Sequence, residues 1–381
     1  PDEIQAITLP FLLFTPRTNE ELREAVKLWI TDESEALKKY GHISYWQTQY
    51  VTDMSGLFFG AKSFNEPLYW DTKNVTDMSG MFSEAKLFNQ PLNFTSTKNV
   101  TNMRYMFSYA ESFNQPLNFN TEKVTNMSEM FYLAKSFNQP LNFNTENVTD
   151  MNNMFFSARL FNQPLNFTST EKVTNMACMF GYAKSFNQSL DFNTEKVTNM
   201  TSMFQNATSF NQPLIFNTEN VISTRSMFKD ANLFNQPLNF NTENVTDMSC
   251  MFFTASSFNK PLNWDTKNVT NMLEMFGHAR SFNQPLNFTS TENVTNMTYM
   301  FWAAEAFNQP LNFDTKNVTD MRCMFCCAGS FNQPLNWDTE NVTNMNCMFK
   351  GAESFNQPLN FTSTENVTDM SSMFGPRFLS E

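Results

Sequence analysis

The feature that most constrains this chain is a block of 24 or 25 residues that recurs with few changes from Val51 to Val367. Repeats of this length stack as coils around one continuous core, so the pattern predicts a solenoid instead of several globular domains. Coils are numbered 1 to 14, and positions within each coil are counted from its first residue: Val51, Val75, Val100, Val124, Val148, Val173, Val197, Val221, Val245, Val269, Val294, Val318, Val342 and Val367.

Four coils are one residue longer because they contain the letters FTST, which begin at Phe94, Phe167, Phe288 and Phe361. The chain is rich in apolar residues, with 43 Phe and 26 Met, so we expect it to fold and not to be disordered. Its net charge of −12 argues against a nucleic-acid partner, because binding to phosphates needs clustered Lys and Arg.

The first half of each coil has the apolar spacing of a helix. Position 4 is Met except at Thr224, position 7 is Met except at Leu57, position 8 is Phe and position 11 is Ala. These positions are spaced as i, i+3, i+4 and i+7, the stripe of one helix face, and Asp or Asn at position 3 can serve as the N-cap. The pattern predicts a short helix in every coil.

The second half of each coil contains variants of FNQPLNF. Leu at position 18 and an aromatic residue at position 20 would face inward and position 19 outward, which predicts a very short parallel strand. Pro at position 17 fits the first residue of such a strand. We therefore predict an α/β repeat solenoid similar to a leucine-rich repeat.

Position 15 is Asn wherever a coil reaches it. A buried amide must be satisfied, and a side chain repeated at one site can bond to the backbone of the adjacent coil, so we interpret this column as a structural ladder; contact with a ligand is the alternative. The ladder residues are Asn65, Asn89, Asn114, Asn138, Asn162, Asn187, Asn211, Asn235, Asn259, Asn283, Asn308, Asn332 and Asn356.

The boundaries divide the chain into an N-terminal extension at 1–17, a helical capping segment at 18–50, the solenoid at 51–374 and a tail at 375–381. Thr18 and Glu21 form a capping-box pattern at the start of the cap. No comparable cap follows coil 14, so end-to-end or edge contact is expected there.

Chemistry-bearing residues are few and scattered. His42 and His278 lack a companion at metal-ligand spacing. A metal site, a cofactor and catalysis are therefore not expected. Asn-Val-Thr sequons such as Asn74 recur at coil corners, where Asn tolerates unusual backbone angles, so we prefer a structural interpretation to dense glycosylation.

The cysteines follow no regular framework, which predicts free thiols, although Cys323 and Cys347 lie on neighbouring coils and a disulfide between them is the alternative. Four of them occupy position 6, interpreted as an exposed helix site. The six residues are Cys178, Cys250, Cys323, Cys326, Cys327 and Cys347.

Two columns are candidates for contact with a partner. The first is the outward position 19: Asn93, Asn118, Asn142, Asn166, Asn239, Asn263, Asn287, Asn312, Asn336 and Asn360. The second is the set of aromatic residues at position 9, where other coils tolerate Lys: Phe59, Tyr132, Phe156, Phe253 and Trp302. A solvated amide ladder and packing between helices are the respective alternatives.

The repeat VTDMSGMF..A..FNQPLN(W/F)(D/N)T resembles that of the BspA-like leucine-rich-repeat surface proteins, first noted as lipoprotein repeats in mycoplasmas. The leader LREAVKLWITDESEALKKYGHISYW resembles the segment before such repeats in protists and large DNA viruses. The resemblance implies a solenoid used for adhesion or protein binding. This chain differs in having Phe in place of Trp at most position-20 sites and in lacking a lipobox.

We therefore expect a non-enzymatic solenoid that binds a protein or a glycan over an extended face. The sequence contains no signal peptide or membrane span, and a cell or virion surface is slightly favoured over the cytoplasm. An intracellular adaptor is the alternative, since PDEI at the start resembles the opening of an F-box. An ice- or crystal-binding face is a further alternative.

Overall fold

The computed structural model describes residues 13–375, so the PDEI fragment and residues 376–381 of the predicted tail lie outside the described residues. Helix α1 spans Asn19–Thr31 and helix α2 spans Glu33–Tyr40, followed by a 3-10 turn at Ile43–Tyr45. The Thr18 hydroxyl accepts a hydrogen bond from the Glu21 N–H, which caps the first turn of α1. The Glu21 carboxylate accepts from the Arg17 N–H, one residue before the cap.

The two helices cover the start of the first coil. The buried face of α1 carries Leu22, Val26 and Trp29. The Asn19 side-chain oxygen accepts the N–H of Thr52 at 2.9 Å. In the later coils, the N–H at this position donates to a carbonyl of the preceding coil instead. Arg23 donates to the Ser55 carbonyl at 2.5 Å, so α1 supplies coil 1 with hydrogen-bond partners as well as apolar contacts.

The coils contain no α-helix within residues 51–375, and the helix predicted for each coil is wrong. Instead, every residue at positions 6 and 10 has a positive φ, between 51° and 72°, and most are not glycine. The N–H at position 7 bonds to the carbonyl at position 4, and position 11 bonds to position 8, as in Met203 to Met200 and Ala207 to Phe204. Each of these bonds closes a four-residue turn, and a positive φ at the third of the four residues is typical of a type II turn.

Two consecutive turns explain why the sequence resembled a helix. The first and last residues of each turn, positions 4 and 7 and then 8 and 11, point into the core. They reproduce the i, i+3, i+4, i+7 spacing without any i→i+4 hydrogen bond. We call positions 4–11 the turn segment.

The backbone groups freed by the turns bond between coils. The N–H groups at positions 4, 6, 8 and 10 donate to the next coil, as Phe180 does to the Met203 carbonyl at 2.9 Å. Position 2 donates to the preceding coil, as Thr198 does to Thr174 at 2.9 Å. Parallel bridges link position 3 of every coil to the next, from Asp53 to Asp369. The unbroken ladder of the array is therefore at position 3.

The strand predicted at positions 18–20 is also corrected. We call positions 17–20 the Leu segment. Within residues 13–375 its only bridges are four isolated ones, and each joins an FTST coil to the coil before it: Leu68 to Leu92, Leu141 to Leu165, Leu262 to Leu286 and Leu335 to Leu359. Elsewhere the Leu segments pack through side chains.

The coil spacing widens from the turn segment to the Leu segment. Stacked rings of adjacent coils lie 5.3–5.8 Å apart at position 8 and 5.8–6.0 Å apart at position 14. At position 20, ring pairs lie 5.9–6.5 Å apart. The array therefore curves, with the turn segments on the inside of the bend.

The core is continuous from the cap through the array. In coil 6, the rings of Phe180 and Phe186 lie 4.1 Å apart, and Phe180 stacks on Phe155 and Phe204 at 5.7 Å. The residues at positions 1, 4, 7, 8, 11 and 14 are buried along almost the whole array. The chain is a repeat solenoid, as its periodicity predicts.

Candidate interaction surface

The Asn side chains at position 15 form hydrogen bonds between coils. The Asn187 side-chain oxygen accepts the backbone N–H of Asn211 at 2.9 Å and the Gln212 side-chain amide at 3.1 Å. The same bond to the next backbone N–H recurs from Asn65 to Asn356. These acceptors are therefore occupied by the neighbouring coil.

The coil corners carry a second set of coil-to-coil bonds. The side-chain nitrogen of Asn74 donates to the Gln49 carbonyl at 2.8 Å, and Asn244 donates to the Glu219 carbonyl at 2.8 Å. Buried Thr residues near position 22 donate to the next coil, as Thr218 does to the Asn241 carbonyl at 2.8 Å. The sequon nitrogens thus take part in the stacking of the coils.

The Asn column at position 19 lies on the Leu segment, outside the bend. Asn93, Asn118, Asn142, Asn166 and Asn239 are all exposed. Side-chain amides pair along this column only at FTST coils within residues 13–375, as Asn166 does with Asn142 at 3.1 Å. The column is therefore a polar surface whose side chains form few hydrogen bonds with one another.

The turn segment presents a different surface, formed by the side chains of positions 5, 6, 9 and 10. We call it the turn face. These four positions change from coil to coil, whereas the core and ladder positions around them are nearly constant. The turn face therefore contains four of the positions at which one coil differs most from the next.

The position-9 aromatics lie on the turn face and pack against aromatic residues of neighbouring coils. The Tyr109 cluster comprises Tyr109, Tyr132, Phe156 and Tyr182. Tyr132 stacks on Phe156 at 5.0 Å, and Tyr109 and Tyr182 extend the row at 5.4 and 5.2 Å. Burial and the neighbouring Tyr109 raise the pKa of the Tyr132 hydroxyl, so this hydroxyl is protonated at neutral pH.

A second group, the Trp302 cluster, comprises Phe253, His278, Tyr299 and Trp302. The His278 ring meets Trp302 edge-on at 4.2 Å, and Phe253 meets His278 edge-on at 5.8 Å. Burial and then Arg280 lower the pKa of His278. Its imidazole is therefore an aromatic packing element at neutral pH.

Glycines create the space for both clusters. A Cβ at Gly181 would lie 2.9 Å from the Phe156 ring, and one at Gly277 would lie 2.9 Å from the Phe253 ring. Phe59 stands apart from the clusters, beside the cap and 62% exposed. Position-9 aromatics are thus brought together in two groups, and one remains separate.

Sequence reasoning missed the members at positions 6 and 10, which are Tyr109, Tyr182, His278 and Tyr299. The sequence analysis considered position 9 alone. In the structure, side chains at positions 6 and 10 meet the position-9 aromatics, mostly between neighbouring coils. The available signal was that aromatic residues at these positions fall in the same coil as a position-9 aromatic or in a coil next to one.

The cysteines are free thiols in the described residues and are less exposed than predicted. At position 6, Cys250 and Cys323 are buried and Cys178 and Cys347 are partly buried, which corrects the assignment of this position to an exposed helix site. Cys326, at position 9, is also buried. Burial is the main cause that raises the pKa of Cys250 to about 11, and burial together with the Cys327 thiol raises that of Cys326 to about 12. These thiols are therefore protonated and weakly nucleophilic.

Within residues 13–375, no group of three or more His, Cys, Asp or Glu side chains is arranged to hold a metal ion. His42 lies 3.7 Å from Glu66 at the junction between the cap and coil 1. None of the helices in this range has the length and apolarity needed to span a bilayer.

The sequence matches the family described as "Mycoplasma protein of unknown function, DUF285". The matches cover residues 30–142, 117–215, 168–239, 238–313 and 311–377. The chain belongs to this family. Its overlapping matches follow the repeats, so the chain is a mycoplasma-type repeat protein.

No curated protein matches the sequence. Among solved structures, the chain is similar to one titled "Crystal structure of TLR13-ssRNA13 complex", with 10% sequence identity and a TM-score of 0.22. The alignment covers 88% of this chain and 54% of that one, so the chain spans about half the length of the solved relative. A likeness this weak carries no argument about fold or ligand.

Proposed function

We propose that this protein is a non-enzymatic binding solenoid of the BspA-like adhesion type, which holds a protein partner along its turn face. The observation that carries the proposal is where the coils differ. The core and ladder positions repeat, and positions 5, 6, 9 and 10 are among those that vary most. Stability alone does not require a different residue in each coil, whereas recognition of an irregular partner does.

The composition of the turn face supports a protein partner. Tyr, Trp and Arg are enriched among the residues that dominate protein interfaces, and the face combines Tyr109, Tyr182 and Trp302 with Arg104 and Arg322. The inside of a curved repeat array can also contact a partner over many coils at once.

The arrangement of the rings favours protein over glycan. Sugars stack on open aromatic faces, but Tyr132 and Phe156 cover each other with their planes 8° apart. Trp302 is likewise approached by His278 at 74° and by Tyr299 at 62°. Tyr109 is exposed at one end of the row, and the other rings are only partly buried, which suits contact with apolar side chains of a protein.

The experiment compares three immobilised proteins, all as the full chain. They are the natural sequence, a turn-face variant with Tyr109→Ser and Tyr182→Ser, and an outer-face control with Tyr69→Ser and Ile215→Ser. Tyr69 and Ile215 are exposed on the Leu segment at position 19. Each protein is incubated with surface proteins labelled on intact cells of the source organism or its host, and bound proteins are quantified by mass spectrometry.

We expect proteins that are retained by the natural sequence and by the outer-face control but depleted at least tenfold on the turn-face variant, in the range expected when interface hot spots are removed. Circular dichroism confirms that each variant is folded. Equal retention on all three proteins, or loss only on the outer-face control, would contradict the turn face as the binding surface.

A further inference from the structure

Position 12 forms a charged column along one edge of the turn face, separated from position 10 only by the buried Ala at position 11. In coils 1 to 6 the column contains five cations and one anion, and in coils 7 to 9 it is neutral. From coil 1 to coil 9 its residues are Lys62, Lys86, Glu111, Lys135, Arg159, Lys184, Thr208, Asn232 and Ser256. This basic edge contrasts with a chain whose net charge is −12.

Much of the positive charge in this column has no internal partner. Glu111 lies 3.1 Å from Lys86 and 2.7 Å from Lys135 and neutralises part of the middle. Lys62, Arg159 and Lys184 are exposed, and none of them forms an ion pair within residues 13–375. Cations this close together repel one another, so a bound anion would relieve that repulsion.

Exposed leucines accompany the cations. Leu87 and Leu160 directly follow Lys86 and Arg159 at position 13 and are 57% and 56% exposed. Other coils have Ser at this position in most cases. The Tyr109 cluster lies on the turn face of coils 3 to 6, beside the same column. The edge therefore offers cationic and apolar contacts side by side.

We propose that the position-12 column of coils 1 to 6 binds an extended acidic peptide segment with interspersed apolar residues. The inference rests on the proposed function and names the chemistry of the protein partner. An extended peptide presents alternate side chains on one face about 6.6–6.8 Å apart. That is close to the coil spacing of 5.8–6.0 Å at position 14, two residues further along the coil.

Two other polyanions fit the edge less well. A sulfated glycan would match the cations but would leave Leu87 and Leu160 without apolar partners. A single-stranded nucleic acid needs open aromatic faces for base stacking, and the rings of Tyr132 and Phe156 close on each other. An acidic amphipathic peptide uses both the charges and the leucines.

The test uses the full chain and fluorescence anisotropy of labelled 12-residue peptides. The main probe has Glu-Leu-Glu-Glu three times. One control probe has Lys in place of Glu, and another has Ser in place of Leu. Heparin and a 12-nucleotide single-stranded DNA are tested as competitors.

The main variant reverses two column charges, Arg159→Glu with Lys184→Glu. Its matched control is Lys172→Glu with Lys196→Glu, which reverses two exposed charges in the same coils 5 and 6 at the corner preceding the next Val. Both variants change the net charge equally. A third variant, Leu160→Ser, removes an apolar contact, and a fourth, Thr208→Lys, extends the column by one coil.

We expect the acidic probe to bind with an affinity that falls as salt rises, and the Lys probe not to bind. The column variant should weaken binding roughly tenfold or more and the matched control less than about twofold. Leu160→Ser and the Ser probe should each weaken binding, whereas Thr208→Lys should strengthen it.

The proposal is overturned if the acidic probe does not bind, if both charge variants act equally, or if the competing heparin or DNA is bound more tightly than the peptide. The capture experiment separates this result from the proposed function. Loss of the partners by the Tyr109→Ser, Tyr182→Ser variant, with their retention by the Arg159→Glu, Lys184→Glu variant, supports the turn face as the binding surface. The same result overturns the proposal of an acidic peptide on the position-12 column.

Discussion

Each coil has a turn segment whose backbone bonds to its neighbours and a Leu segment whose backbone mostly does not. At the turn segment, N–H groups at positions 4, 6, 8 and 10 donate to the next coil throughout the array. At the Leu segment, bridges occur only before an FTST coil within residues 13–375. Both segments bury large apolar side chains, so burial alone does not explain the difference.

The comparison shows what the extra residue of the FTST coils does. The Thr168 hydroxyl accepts the Thr145 N–H at 3.0 Å, and the Thr168 N–H donates to the Phe143 carbonyl at 3.4 Å. The longer corner thus reaches the preceding coil and supplies hydrogen bonds that the other Leu segments lack. On its other side, Leu165 and Phe167 stay only partly buried. The insertion therefore draws the Leu segments together in pairs.

The largest expected effect tests whether the turn segment carries more of the stability. Phe180→Ala removes a ring with 0% exposure and should lower the free energy of unfolding by about 4 kcal/mol. Phe167→Ala, at the partly buried position 20, should cost about half as much. Urea unfolding followed by circular dichroism measures both, and equal losses would show that the two segments contribute equally to stability.

The Asn columns give the next largest contrast. Asn187→Ala leaves the Asn211 N–H and the Gln212 amide without their acceptor and should cost about 1–2 kcal/mol. Asn166→Ala, on the exposed outer face, should change stability by less than about 0.5 kcal/mol. Asn187→Asp keeps an acceptor oxygen and should recover much of the loss in the same unfolding assay.

The role of the inserted residue is tested by Thr168→Ala. Removing the hydroxyl deprives the Thr145 N–H of its acceptor and should cost about 0.5–1.5 kcal/mol. Thr168→Ser retains the hydroxyl and serves as the control. Hydrogen exchange at the Thr145 amide should become faster in the Ala variant only. Unchanged protection of this amide would show that side-chain packing, and not the Thr168 hydroxyl, holds the two Leu segments together.

The turns themselves predict a gain in stability. Thr254 is a β-branched residue with a φ of 60°, where a side chain is strained. Thr254→Gly should relieve the strain and raise the free energy of unfolding by about 0.5–1 kcal/mol, after the entropic cost of glycine is deducted. Thr208→Gly, at a position without positive φ, should instead lower it. A loss in both variants would contradict the type II turns.

The smallest effect concerns pH. Hydrogen bonds from Lys135 and then Lys86 lower the pKa of Glu111 from its usual value of 4.5. Its contribution to stability is therefore present above pH 4.5 and is lost as the pH falls through the lowered pKa. Glu111→Gln should remove this part of the acid sensitivity and have little other effect, because the lysines are 45% and 39% exposed. Unfolding curves at pH 7 and pH 3 measure the difference.

The sequence alone led to the stacked coils, the core positions and the column at position 15. These follow from strict repetition, because identical residues at one position stack on their counterparts in the next coil. The helix predicted in each coil was wrong, and of the very short strands predicted at positions 18–20 only four isolated bridges form within residues 13–375. The spacing 4, 7, 8, 11 fits either one helix or two turns, and residues as different as Thr254 and Cys323 give no compositional sign of a positive φ.

The site was predictable in part. The position-9 aromatics were identified from their contrast with Lys in other coils, but their partners His278, Tyr299, Tyr109 and Tyr182 were not. Which side chains meet depends on how neighbouring coils stack. Tyr132 meets Tyr109 of the preceding coil and Phe156 of the following one, and a single repeat does not show these pairings.

The repeat by itself determined that the chain stacks in register, which side chains lie inside and where the protein differs from coil to coil. Only the tertiary structure decided how each coil is held. The backbone N–H at position 8 could bond four residues back in a helix or one coil onward, and a single coil contains no information about its neighbour's position. Once the coils are stacked, the bond to the next coil is available at all of positions 4, 6, 8 and 10, and the turns prevail over the helix.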